Sequence, residues 1–200
     1  MILYKKLPSK FTTLIQQSML NQIDRIGYKT IVNHLHNDRE WYLQNIKGLA
    51  EFLDEYKLKN QFRGAWLSGV DAGTSFEAHV DKTSTWQRNL AVNIPIQGTK
   101  QTAMNWYHEA TFSRLLDHHR YGIQCHWTNL KSKYPSLELL EPHMVRTDIP
   151  HNIENNSDTQ RIVISLKFNP DPSDQWPELF IPFVLPDLDK LIVGQIYKFE

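Results

Sequence analysis

The chain has 200 residues, of which 40% are hydrophobic, and its 22 basic and 22 acidic side chains cancel. This length and apolar content predict one globular domain with a sizeable core, and the balanced charge argues against nucleic acid or an anionic membrane as a partner. A single cysteine, Cys125, excludes a disulfide framework, and no apolar stretch has the length of a signal sequence or a membrane span, so we expect a cytoplasmic protein.

The first sixty residues carry the periodicity of helices. Ser9 is predicted to begin a helix whose apolar side chains recur every three to four residues as far as Gly27. A second helix is predicted to start at Asp38, as its N-cap, and to run to about Asn60. We expect both helices to form a layer, residues 1–60, that packs against a sheet.

From Phe62 onward the pattern changes to short strands separated by turns rich in Gly, Asn and Asp. The predicted strands are residues 66–70, 76–81, 88–95, 102–107, 137–140, 143–146, the hairpin described below, and 191–193. Residues 109–120 are predicted as a helix, and the long segment 108–136 as a lid or substrate loop. Helices followed by many strands favour an α+β fold in one domain, with a sandwich or barrel of strands as the core over residues 62–168 and a tail over residues 169–200.

Two patterns in the strand region supply candidate metal ligands. His79 and Asp81 are two residues apart, so alternation along a strand places both side chains on one face. Further on, His151 precedes a polar turn, residues 155–158, after which Arg161 begins a strand of β-branched residues, and this order predicts a hairpin. Two neutral imidazoles and one carboxylate bind Fe(II) while leaving coordination positions open.

Arg161 completes a recognisable set of chemical groups. A guanidinium binds a carboxylate through two parallel hydrogen bonds and stays charged in a dry pocket. Arg161 therefore suits the distal carboxylate of 2-oxoglutarate, whose other end chelates iron beside O2. Ser165, four residues further along the same strand face, is either a second hydrogen-bond donor to 2-oxoglutarate or an ordinary strand serine.

Other histidines offer competing interpretations. His36 and Asp38 have the same spacing as His79 and Asp81, but Asp38 is placed to cap a helix, so we interpret this pair as structural. His143 is the alternative to His151, although no arginine follows it at the same distance. Either pattern alone is expected by chance, so the prediction depends on their order along the chain.

Three segments carry a resemblance to a known family. Residues 71–79, 88–96 and 148–164 resemble the Fe(II)/2-oxoglutarate-dependent dioxygenases, in their aspartyl/asparaginyl β-hydroxylase-like branch. The resemblance covers roughly residues 62–168 and implies a double-stranded β-helix fold, with His79, Asp81 and His151 as the catalytic metal site. It also implies that Arg88, nine residues after His79, helps Arg161 to bind 2-oxoglutarate.

The implied function is hydroxylation of an unactivated C–H bond, with Fe(II), 2-oxoglutarate and O2 as cofactor and co-substrates. The branch is similar both to protein Asp/Asn hydroxylases and to free-amino-acid hydroxylases that keep the His-x-Asp form. The expected substrate is therefore an amino-acid-like small molecule or the Asp/Asn side chain of a peptide. Two alternatives remain open: a cupin-like metal enzyme that needs a fourth ligand and no 2-oxoglutarate, and a non-catalytic jelly-roll binding module.

Overall fold

The computed structural model describes residues 2–81, 89–118, 122–132, 134–176, 186–187 and 190–199. Its helices are α1 (Thr12–Ile26), α2 (Tyr28–Thr30), a π-helical turn (Ile31–Leu35), α3 (Arg39–Asn45), α4 (Leu49–Glu55) and a 3-10 turn (Pro172–Gln175). No helix in these ranges is long and apolar enough to cross a membrane.

The helix boundaries follow the predicted signals only in part. Gly27, with φ +86°, ends α1 as predicted. The start at Ser9 is wrong, because α1 begins at Thr12 with Phe11 as its N-cap, and Ser9 Oγ accepts from the backbone N–H of Phe11 (3.2 Å) before the helix. Asp38 caps α3 as predicted, because its carboxylate accepts from the backbone N–H of Trp41 at 2.9 Å. The prediction of one continuous second helix is wrong: Gly48, with φ +84°, separates α3 from α4, since a left-handed residue cannot continue a right-handed helix.

The strands form two antiparallel sheets. They are β1 (Tyr4–Lys6), β2 (Phe62–Val70), β3 (His79–Val80), β4 (Leu90–Gln97), β5 (Thr102–Trp106), β6 (Glu109–His118), β7 (Gly122–Lys131), β8 (His143–Arg146), β9 (His151–Asn155), β10 (Arg161–Phe168) and β11 (Ile196–Lys198). The first sheet has the order β1-β8-β4-β10-β2 and the second the order β11-β6-β7-β3-β9-β5. The predicted α+β fold with a jelly-roll core is confirmed.

The first sheet has two buried faces with different neighbours. On β10, Ile162, Ile164 and Leu166 point to the helices and share a core with α1, α3 and α4. Arg161, Val163 and Ser165 alternate with them and therefore point to the other face, toward the second sheet. The interior between the sheets is thus where functional side chains of β10 can meet those of the second sheet.

The helix predicted over residues 109–120 is wrong, because residues 109–118 form the long strand β6. Strand β6 pairs with β7, and the register shifts twice, between Glu109 and Thr111 and between Phe112 and Arg114. Such bulges interrupt strict alternation, which explains why the sequence did not show a strand. The segment predicted as a lid is therefore mainly part of the second sheet.

Three further strand predictions differ from the structure. Of residues 76–81, only His79 and Val80 form a strand, β3. In the tail the strand lies at β11, where it pairs with β6, and not at residues 191–193. Of residues 137–140, only Leu137 makes an isolated bridge, to Met104.

The predicted hairpin between His151 and Arg161 is also wrong. Strand β9 pairs with β3 and β5, whereas β10 pairs with β2 and β4, so the polar turn carries the chain from one sheet to the other. Buried Asn155 organises this connection: its amide nitrogen lies within 3.2 Å of the carbonyl oxygens of Val70, Asp71 and Thr159, and these three acceptors share its two N–H groups. As a result, His151 and Arg161 reach the interior from opposite sheets.

Candidate metal centre

A cavity of about 540 Å³ lies between the two sheets. The first sheet contributes Trp66, Ser68, Ala91, Asn93, Arg161, Val163 and Ser165 to its wall. The other side is formed by His79, Asp81, Met104, His126, Thr147, His151 and Ile153, and the rim by Tyr28, Val32, Ser75, Phe76 and Glu77. All but one of the predicted site residues therefore line the same cavity; the exception, Arg88, lies outside the described residues.

The three predicted ligands converge at one point of this cavity. His79 on β3 and His151 on β9 are directly paired across the two strands, and their ring centroids are 4.7 Å apart. Asp81 follows β3, with its Oδ1 at 3.7 Å from His79 Nε2. One ligand atom from each residue lies within 4.8 Å of the other two, and this trio is the only such group of His, Cys, Asp and Glu in the described ranges. The arrangement can hold one metal ion.

Hydrogen bonds fix both imidazole rings in the orientation that a metal requires. His79 Nδ1 lies 2.8 Å from the carbonyl oxygen of Glu77, and His151 Nδ1 lies 2.9 Å from that of Ile149. Because a carbonyl oxygen only accepts, each Nδ1 must carry the proton and donate. The lone pair of each ring is then on Nε2, where it is available to a metal.

The segment between β8 and β9 supports two of the ligands at once. Its Thr147 carbonyl oxygen accepts from the backbone N–H of Asp81 at 2.9 Å, and its Ile149 carbonyl oxygen is the acceptor for His151. The segment contains a buried ion pair, in which Arg146 Nε donates to Asp148 Oδ1 at 2.9 Å. Both side chains of that pair are almost completely inaccessible, so it holds the segment in a single arrangement.

Arg161 begins β10 and is only 2% exposed. Among the described residues, its Nη1 has no hydrogen-bond partner and no carboxylate pairs with its guanidinium. Burial without such a partner lowers the pKa of Arg161 to about 10. Burying a cation without compensation is costly, so the observation indicates a place for an anionic ligand beside the metal ligands.

The cavity floor near Arg161 carries two more polar side chains. Ser165 and Asn93 stand opposite each other on β10 and β4. Asn93 is 7% exposed, and its Oδ1 accepts no hydrogen bond from the part of the chain that the structure describes. Sequence reasoning named Ser165 but missed Asn93, which lies in an unbroken apolar strand and becomes a cavity residue only through the pairing of β4 with β10.

A charged cluster borders His79. Glu77 Oε2 lies 2.6 Å from His126 Nδ1, and Arg114 Nη2 donates to both Glu77 oxygens at 3.2 and 3.3 Å. The hydrogen bond from Arg114 lowers the pKa of Glu77, so this carboxylate is ionised at neutral pH. No local sequence pattern indicates this cluster, because its members are distant in the chain.

The competing histidines lie elsewhere. His143 does not line the cavity; its ring packs edge-on against Tyr4, with the centroids 5.8 Å apart. Its Nδ1 donates to the Glu141 carbonyl oxygen at 2.8 Å, so this local bond is not restricted to the candidate ligands. Asp38 caps α3, as the structural interpretation of the His36–Asp38 pair predicted.

Comparison with known proteins gives structural likenesses only. No family model and no curated protein sequence matches the chain. A solved structure described as a non-heme monooxygenase, ThoJ–nickel complex, aligns with 82% of this chain and 72% of its own, at 12% identity and a TM-score of 0.42. A Pseudomonas putida prolyl-4-hydroxylase aligns with 84% of this chain and 86% of its own, at 12% identity and a TM-score of 0.38. At these TM-scores neither likeness carries an argument about activity.

Proposed function

We propose that this protein is an Fe(II)- and 2-oxoglutarate-dependent oxygenase that hydroxylates an unactivated C–H bond of an amino-acid-like small molecule. The observation that carries the proposal is the position of Arg161. Its buried guanidinium, which pairs with no carboxylate in the described ranges, lines the same cavity as His79, Asp81 and His151. A dicarboxylate such as 2-oxoglutarate can chelate a metal with one end and pair with the Arg161 guanidinium through its other carboxylate, so it suits this cavity.

The donor set fits Fe(II). Two neutral imidazoles and one carboxylate are the ligands of the facial triad in non-haem iron oxygenases, which leave positions open on the metal. A cupin-like enzyme with a fourth protein ligand is less well supported, because in the described ranges only three candidate ligands come together. Bound iron and 2-oxoglutarate would supply the oxidising chemistry that inserts one oxygen atom of O2 into a C–H bond.

Arg161 would hold the distal carboxylate of 2-oxoglutarate. A bidentate guanidinium–carboxylate contact in a buried site is strong and directional, and it would compensate the charge that is now unpaired. Ser165 lies on the same face of β10 and would add a hydrogen bond. Because Arg161 comes from the first sheet and the metal ligands from the second, the co-substrate would span the cavity between them.

The remaining wall would orient the substrate and exclude water. Met104, Ile153 and Val163 present apolar surface to the cavity, which lowers the local polarity around the metal ligands. A volume of about 540 Å³ lies within the range of small-molecule sites, roughly 300–1,000 Å³, and leaves room beside the co-substrate. This supports a small substrate, with a peptide Asp or Asn side chain as the other candidate to be screened.

Anaerobic titration of the Fe(II)-loaded protein with 2-oxoglutarate tests the proposal. A chelate of 2-oxoglutarate on Fe(II) gives a weak visible charge-transfer band. We expect this band in the wild type and its loss in Arg161→Ala at the same 2-oxoglutarate concentration. If the wild type bound iron but showed no band, the cupin-like alternative would be favoured. If it bound no iron, a non-catalytic jelly-roll binding module would be the remaining interpretation. A screen of free amino acids, then of Asp- and Asn-containing peptides, would follow with succinate formation as the readout.

A further inference from the structure

The two ligand histidines use the same local hydrogen bond but in different surroundings. Each Nδ1 donates to the carbonyl oxygen of the residue two positions earlier. For His151 this residue is Ile149, in a fully buried segment that the Arg146–Asp148 ion pair supports. For His79 it is Glu77, which belongs to an exposed segment, residues 71–77. The carbonyl oxygen that orients His79 therefore lacks the support of a buried environment.

The strand that carries His79 adds little support of its own. Strand β3 has two residues, His79 and Val80; it pairs with β7 at both positions and with β9 at His79 alone. A ladder this short has few hydrogen bonds to resist local opening. Asp81 follows immediately, so two of the three candidate ligands depend on this short element.

Backbone hydrogen bonds hold the residues on either side of Glu77, from Phe76 N–H to the Ile153 carbonyl oxygen (2.9 Å) and from Trp127 N–H to the Ala78 carbonyl oxygen (3.1 Å). The side chain of Glu77 adds connections to residue 77 itself. Its carboxylate is bound by Arg114 on β6 and contacts His126 on β7. His126 stands directly opposite His79 in the β3–β7 register. Glu77, whose carbonyl oxygen orients the His79 ring, is thus linked through its carboxylate to the strands β6 and β7.

We propose that Glu77, Arg114 and His126 form a positioning unit for the metal ligand His79. This inference rests on the metal centre of the proposed function. The unit acts through the Glu77 main chain: the carboxylate contacts fix residue 77, and its carbonyl oxygen then fixes the tautomer and the angle of the imidazole. Loss of the unit leaves all three ligands in place but allows the His79 ring to rotate.

The quantity that changes distinguishes the positioning role from a general contribution to folding: the first affects metal affinity and the second affects global stability. Exposed ion pairs contribute little to global stability, and Glu77 and Arg114 are both more than half exposed. Partners that orient a metal-bound imidazole, by contrast, typically change metal affinity by about 10- to 100-fold. Because Glu77 orients His79 through the Glu77 main-chain carbonyl group, we expect a loss of metal affinity at the lower end of this range, about 10-fold.

The experiment is an anaerobic Co(II) titration of the metal-free protein, followed by the visible absorption of the bound ion. The variants are Glu77→Ala, Glu77→Gln and Arg114→Ala. The matched control is Lys131→Ala, which removes another exposed cross-strand ion pair of β6 and β7, Lys131 Nζ to Glu109 Oε1 at 2.6 Å. Lys131 does not line the cavity. Thermal unfolding of each metal-free protein is recorded in parallel.

We expect Glu77→Ala and Arg114→Ala to bind Co(II) about 10-fold more weakly, with an altered absorption spectrum and an unchanged metal-free unfolding midpoint. Glu77→Gln, which keeps one acceptor oxygen, should fall between these variants and the wild type, and Lys131→Ala should match the wild type. The double variant Glu77→Ala/Arg114→Ala should lose no more than Glu77→Ala, because partners in one unit are not additive.

Wild-type affinity and spectrum in both Glu77→Ala and Arg114→Ala would overturn the positioning role while leaving the metal centre intact. If Glu77→Ala did not fold, Arg114→Ala and Glu77→Gln would still decide the question. Failure of the wild type to bind Co(II) would instead overturn the metal centre itself, and the positioning unit with it.

Discussion

His79 and His151 face each other across two antiparallel strands, as a single pair in the register of β3 and β9. Their ring centroids are 4.7 Å apart. Each Nδ1 donates to the carbonyl oxygen of the residue two positions earlier, Glu77 for His79 and Ile149 for His151. A shift of the register by one residue would turn one of the two imidazoles to the opposite face of the sheet. The candidate metal site therefore depends on this one pairing between segments that are far apart in sequence.

Replacement of any one candidate ligand is expected to abolish stoichiometric iron binding. His79→Ala, Asp81→Ala and His151→Ala each leave two donors, which are too few to hold Fe(II) in competition with water. Iron content after anaerobic loading and desalting measures the effect. His143→Ala is the control, because His143 makes the same local hydrogen bond but does not line the cavity. Normal iron content in Asp81→Ala would indicate a site of two histidines only.

The buried residues Arg146 and Arg161 should respond in opposite ways to replacement by Met. Arg161 has an unpaired Nη1, so Arg161→Met should keep or increase the free energy of unfolding while weakening 2-oxoglutarate binding by about 100-fold or more. Arg146 pairs with buried Asp148, so Arg146→Met should lower the free energy of unfolding by about 3–5 kcal/mol. Urea denaturation and 2-oxoglutarate titration measure the two quantities. Strong destabilisation by Arg161→Met would show that this guanidinium has a structural partner.

Asn155 is expected to be essential for the connection between the sheets. Asn155→Ala removes three bonds to carbonyl oxygens, and it also removes the Oδ1 acceptor of Ser157, whose hydroxyl donates at 2.6 Å. Because these partners are largely buried, we expect a loss of about 2–4 kcal/mol in the free energy of unfolding, more than a single unmade hydrogen bond costs. Urea denaturation of Asn155→Ala and of the exposed neighbour Asn156→Ala tests this. Equal stability of the two variants would contradict it.

Gly69 should not tolerate a side chain, because Tyr28 packs against it at the cavity rim. A Cβ at Gly69 would lie 2.3 Å from the Tyr28 hydroxyl oxygen, well inside van der Waals contact. We expect Gly69→Ala to lower the free energy of unfolding by about 1–3 kcal/mol. The same substitution in a Tyr28→Ala background should cost less, and this double-mutant cycle identifies Tyr28 as the cause. Additive effects would assign the cost to another neighbour, such as Gln160.

Local sequence signals predicted several elements correctly. The cap at Asp38, the end of α1 at Gly27 and the strands β8 and β10 follow from side-chain chemistry and periodicity within a few residues. Strand β6 was missed because its bulges break the alternation on which the prediction relied. The continuous second helix failed at Gly48, whose backbone angle the sequence does not reveal.

The candidate site shows the same division between local and long-range information. Spacing within one segment was enough to name His79 and Asp81 as neighbours on a strand face and to select His151 and Arg161 as partners. It could not show that His151 and Arg161 belong to different sheets. Nor could it find Asn93, His126 or Tyr28, which reach the cavity only through pairing or packing with distant segments.

The sequence by itself determined the kinds of group present: a helical layer, a set of strands, two imidazoles, a carboxylate and an arginine in an order that suits metal-dependent oxygenation. The tertiary structure decided how these groups relate, from the carbonyl oxygens that orient the two imidazoles to the burial of Arg161 away from every carboxylate that the structure describes. The physical reason is that alternation and capping are properties of neighbouring residues, whereas register, burial and cavity shape arise from contacts between segments far apart in the chain.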